Sequence, residues 1–118
     1  MADPKNPSPV SGATQPGPNR LVLAAQLTER DALRYTPAGL PALNCWLAHA
    51  SQVVEAGQPR QVGLRLKAVA LGAMAERLQT QEIGSSWLFQ GFLASPNKTR
   101  QVVFHIQDFG VVTAPADS

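Results

Sequence analysis

Arg65 and Lys67 stand two residues apart in the segment Val62-Gly63-Leu64-Arg65-Leu66-Lys67-Ala68, the spacing that puts both side chains on one face of a β-strand. Arg60 precedes that segment, Arg34 lies near an earlier loop, and Lys98 and Arg100 belong to a later one. Cations spread in this way can follow the phosphates of a flexible polyanion. A flat, exposed side chain adds a surface on which bases stack. Trp46 supplies one, because its parity sets it with Asn44 and Gln52 and against Leu43, Cys45 and Leu47. Arg34, Trp46, Arg60, Arg65, Lys67, Lys98 and Arg100 therefore form the candidate set for binding single-stranded nucleic acid. Surface cations also serve solubility, and an outward tryptophan also suits a dimer contact. Trp87 and Phe89 share a parity in an apolar run and read as core or subunit interface, while Phe92, Phe104 and Phe109 read as core.

Catalysis needs a convergent set: a nucleophile with its base, or three or four metal ligands. His49 and His105 are the only histidines, each isolated in a strand-like run, and both read as structural hydrogen-bonding residues. The glycines form neither a phosphate-binding loop nor a dinucleotide fingerprint, and Ser85-Ser86 lacks a nucleophile elbow. Carboxylates are few: Glu76 and Glu82 read as solvated, and Asp108 shows no partner. The expectation is a protein that is not an enzyme and that needs no metal or cofactor.

The elements that must position the binding set can be followed along the chain. Leu21 to Thr28 is rich in strand formers, and after a charged break at Glu29 to Asp31 a short run reaches the turn Pro37-Ala38-Gly39-Leu40-Pro41. Ala42 to Val54 alternates as a strand with one dry face, Ala56-Gly57-Gln58-Pro59 turns the chain, and Val62 to Ala68 alternates again with its basic residues outward. Gly72 to Gln81 breaks the alternation; Met74 and Leu78, four residues apart, mark one short helix. Ser86 to Ala94, bent at Gly91, and Gln101 to Val112 complete the set. Five strands with a single helix between the third and fourth is the order of an all-β OB-fold, a Greek-key barrel whose strand face and adjoining loops bind oligonucleotides or sugars. Gly63 and Gly91, inside strands, fit the bends such a barrel needs.

The 118 residues suffice for one domain. Residues 1–18 hold five prolines and no aromatic residue, and read as a disordered tail; residues 114–118 read likewise, leaving a folded module at 19–113. Within that module nine Lys and Arg stand against six acids, a mild excess of cations. Cys45, the single cysteine, can form no internal disulfide and reads as a small buried apolar residue. No apolar run nears the roughly 20 residues that cross a bilayer, and the N-terminus lacks the order of a secretory signal, so a cytoplasmic location without membrane contact is expected. Val22 and Ala24 lie outward on the first strand, an edge of the kind that invites a second chain.

Several stretches, in order, resemble the PriB family, the primosomal replication proteins N of bacteria. They are Asn19-Arg20-Leu21-Val22-Leu23, Thr36-Pro37-Ala38-Gly39-Leu40-Pro41, Leu47-Ala48-His49, Arg60-Gln61, Gly72, Gln90-Gly91-Phe92 and His105. The resemblance implies a homodimeric OB-fold, similar to single-strand DNA-binding proteins, that assists replication restart by binding single-stranded DNA, the PriA helicase and the loading factor DnaT. The chain departs from the family pattern at Gly63, where better-known members carry a stacking tryptophan, and in a shorter loop with fewer lysines, Lys98 and Arg100 being the carry-overs. Weaker DNA binding follows. An adaptor that mainly holds protein partners is the alternative.

Overall fold

The computed structural model describes residues 17–96 and 99–112. Of the expected tails only Gly17 and Pro18 fall within this range, and Lys98 lies outside it. The elements are β1 (Leu21–Arg30), β2 (Arg34–Tyr35), β3 (Pro41–Glu55), β4 (Gln58–Leu71), α1 (Ala73–Gln79), β5 (Ser86–Ala94) and β6 (Val103–Gly110). They form one sheet in the order β1-β5-β6-β4-β3-β2, which a further β1–β3 pairing closes into a barrel. Every long pair is antiparallel except β4 with β6. The two-residue β2 only extends the edge of β3. The five long strands and the position of α1 thus make the OB-fold barrel that the sequence predicts.

The alternation seen in the sequence separates two faces. Leu43, Cys45 and Leu47 of β3 and Ala68 and Ala70 of β4 point inward and are fully buried with Leu27, Phe89 and Phe104. Ala75 and Leu78 of α1 are also fully buried and join the same cluster, with Met74 packed against it. The chain enters α1 through Gly72, whose φ of 69 favours glycine. Cys45 is a free, buried thiol, and burial pushes its pKa up from 9.0 to about 12, so it stays protonated and unreactive in the folded chain.

Four details depart from the sequence expectation. β1 continues through Glu29 and Arg30, because a bulge between Leu27 and Glu29 lets the charged residues pair with β3 while staying out of the core. The turn between β3 and β4 is only Ala56-Gly57, both with positive φ, 53 and 78, so Gln58 and Pro59 belong to β4. That is the geometry that tight hairpins prefer. Phe92 is only half-buried: three residues from Phe89, it falls on the opposite side of the strand and stacks on His105. Asp108 pairs with Arg77 at 3.5 Å, a contact between β6 and α1 that spacing in the sequence could not reveal. Trp87 and Phe89 do read correctly as apolar packing: Trp87 meets the Phe109 ring edge-on at 5.3 Å, and its indole N–H donates to the Ser85 hydroxyl at 2.8 Å.

Gly91 is required by a close approach of two strands. The β5–β6 register shifts between Gln90 and Gly91, and a Cβ at Gly91 would overlap the backbone carbonyl of His105. Backbone cannot step aside as a side chain can. Gly91→Ala is therefore expected to lower the unfolding free energy by about 1–3 kcal/mol, measured by urea denaturation. An unchanged midpoint would show that the strands separate freely at this point.

Candidate nucleic-acid interface

The outer face of the β3–β4 hairpin carries the central candidates. Ala48 is the register partner of Arg65, Trp46 of Lys67, and Asn44 of Val69. Arg65 and Lys67 therefore share the outer face about 6.6 Å apart. Trp46, half-buried, does not join the residues packed against the core, as Trp87 does. The Lys67 ammonium lies 5.9 Å from the centre of the Trp46 ring, at the outer limit of a cation–π contact. The pair thus sets a cation beside a flat ring on one surface. Among the described residues neither Arg65 nor Lys67 has an ion-pair partner.

Beyond this pair the surface deepens into a cleft of about 300 Å³, to which Arg34, Asn44, Lys67, Val69, Pro96 and His105 contribute. Arg34 reaches it from β2 and donates to the Asn44 side-chain oxygen at 3.4 Å. The cleft therefore gathers strands β2, β3, β4 and β6 with the start of the β5–β6 loop, and its lining combines two cations with apolar Val69. Such a lining suits a strand whose phosphates and bases lie on opposite sides.

The remaining candidates are not gathered in the same way. Arg60 has the opposite parity from Arg65 and is held by Glu55 at 2.9 Å near the hairpin tip. Arg100 is exposed in the β5–β6 loop, and Lys98 of that loop lies outside the described residues. Glu29, opposite Trp46 on β1, is exposed and adds a negative charge beside the platform. Asn44, Val69 and His105 were missed as site residues, although their parity, opposite to Leu43, Ala70 and Phe104, puts each on the outer face. No group of three or more His, Cys, Asp or Glu suited to a metal is found among the described residues.

An OB barrel of this kind has counterparts among known proteins. The family described as "Another single-strand binding protein family" matches residues 19–108. The replication restart protein PriB of Bordetella pertussis is 49% identical over 90 residues, which span 75% of this chain and 84% of that protein. The chain belongs to the PriB family of single-strand binding proteins. A solved structure of PriB from Ralstonia solanacearum, 40% identical, covers 81% of this chain and 100% of its own, with a TM-score of 0.74. The single-stranded DNA-binding protein of Thermus aquaticus, 27% identical, matches 85% of this chain and 52% of its own, with a TM-score of 0.65.

Gly63, the position at which the family resemblance implies an aromatic residue, can now be located. Gly63 lies opposite Ala50 on the same outer face as Trp46 and Lys67, four residues along β4 from Lys67. The indole of this chain thus stands about 13 Å along the hairpin from Gly63, nearer the barrel body.

Proposed function

We propose that this chain is an accessory single-stranded DNA-binding protein of the replication-restart primosome, cytoplasmic and dimeric, that keeps the PriA helicase on DNA and assists assembly through DnaT. The observation that carries the reading is the track formed by Arg65, the Lys67–Trp46 pair and the cleft walled by Arg34. The naming of its relatives as replication restart proteins supports the primosomal setting. The dimer reading is supported by β1: Leu21 to Ala25 pair with β5 alone, the β3 pairing begins at Gln26, and Val22 is 47% exposed. An unpaired strand edge of this kind can extend a sheet across two chains. No helix among the described residues is long and apolar enough to cross a membrane.

A second reading, a protein-interaction adaptor with incidental DNA contact, is favoured by Gly63 in place of an indole, by Arg60 being neutralised by Glu55, and by Glu29 beside Trp46. Fluorescence anisotropy with labelled oligothymidylate at two salt concentrations separates the two. Three phosphate contacts from Arg34, Arg65 and Lys67 predict that affinity falls about 20-fold between about 50 and 200 mM salt. Absence of binding at the lower concentration would leave the adaptor.

A further inference from the structure

The two histidines have different surroundings. Both ring nitrogens of His49 are engaged, Nδ1 with the Ala24 carbonyl at 2.6 Å and Nε2 with the Ser51 hydroxyl at 2.9 Å. His105 is half-buried, and among the described residues neither of its ring nitrogens has a hydrogen-bond partner. Its ring lies almost parallel to Phe92, 9° apart with centroids separated by 4.7 Å. A polar ring held flat against an apolar one, with both nitrogens uncommitted, is not a structural crosslink.

Its location supplies a use. His105 lies where the cleft holding Arg34 and Lys67 meets a neighbouring cleft of about 360 Å³ formed with Phe92, Met74 and Leu71. Val69, Leu71 and His105 line both, so the two clefts adjoin across β4 and β6. Among the described residues, the charged groups lining these clefts with His105 are Arg34 from β2 and Lys67 from β4; β5 contributes Phe92, α1 Met74, and β6 itself Val103 and Gln107. Among the described residues no carboxylate lines either cleft. The nearest acid on the same strand, Asp108, is paired with Arg77.

We infer that the stacked His105–Phe92 pair is a further subsite for the single strand, at which a backbone phosphate accepts a hydrogen bond from the protonated His105 ring beyond the Arg34–Lys67 cations. This inference rests on the nucleic-acid reading above. An imidazole changes charge between pH 5 and 8, and its protonated form makes the stronger, charge-assisted bond to phosphate. Binding then takes up a proton, so affinity rises as pH falls.

The test is anisotropy of oligothymidylate with the full chain at constant ionic strength, at pH 8.0 and 5.5, where thymine carries no charge. The wild type is expected to bind about ten-fold more tightly at pH 5.5. His105→Gln is expected to lose the rise in affinity between pH 8.0 and 5.5, while His49→Gln keeps it. A rise that survives in His105→Gln, or a wild-type affinity that does not change with pH, overturns the subsite. Proton NMR of the wild type gives an answer that needs no variant: the oligonucleotide should move the titration midpoint of the His105 ring upward, and an unmoved midpoint overturns the proposal. Absence of binding at both pH values is a separate result, which removes the nucleic-acid reading and the subsite with it.

Discussion

Replacing Arg65 and Lys67 together by glutamate is expected to weaken oligothymidylate binding by on the order of 100-fold at about 50 mM salt. Each phosphate contact releases about 0.7 counterion from a single strand, which at that concentration is worth about 0.9 of a log unit in affinity. Two contacts account for nearly the whole effect, and repulsion by the new carboxylates adds the rest. The same arithmetic predicts that the slope of log affinity against log salt becomes shallower by about 1.4. Both side chains lie on the outer face of β4, away from the buried cluster, so thermal unfolding should stay nearly unchanged. A loss below about three-fold, with the slope intact, would mean that the strand passes elsewhere.

Trp46→Ala is expected to weaken the same binding by about 5- to 150-fold, the equivalent of the ~1–3 kcal/mol that one base–aromatic stack contributes. Its signature differs from that of the charge reversal: the affinity drops at every salt concentration by the same factor, because no counterion is released by a stacked base. Trp46→Phe should recover most of the loss, since a flat ring remains beside Lys67. If Trp46 belonged to a subunit contact, sedimentation would change and DNA affinity would follow only through dimer concentration. Equal affinity for Trp46→Ala and wild type would place the stacking elsewhere on the face.

The barrel was legible because its strands alternate strictly where they matter. Leu43, Cys45 and Leu47 against Asn44 and Trp46, and Leu66 and Ala68 against Arg65 and Lys67, are the inward and outward rows of β3 and β4. Parity along one strand is a local property, and it survives in the structure. The same reasoning could not join residues on different strands. Arg34 and Lys67 share a cleft only because β2 adds to the edge of β3, and His105 comes beside Val69 only through the parallel β4–β6 pairing. Arg60 looked equivalent to Arg65 by proximity in sequence, yet a step of five residues puts the two on opposite faces, and Glu55 neutralises Arg60 across the hairpin. His105 was misjudged for a different reason: isolation in the sequence suggested a structural hydrogen-bonding role, whereas its outward parity was the better guide.

The parallel contact between β4 and β6 consists of Ala68 with Phe104, Val69 with His105, and Ala70 with Ile106. This short seam and the β1–β3 pairing together complete the barrel, and the cleft straddles the seam, with Lys67 and Val69 on one bank and Val103 and His105 on the other. Any breathing that parts the seam also takes apart the candidate binding surface. A strand lying across both banks would act as a staple, so that ligand occupancy and closure of the barrel become the same event.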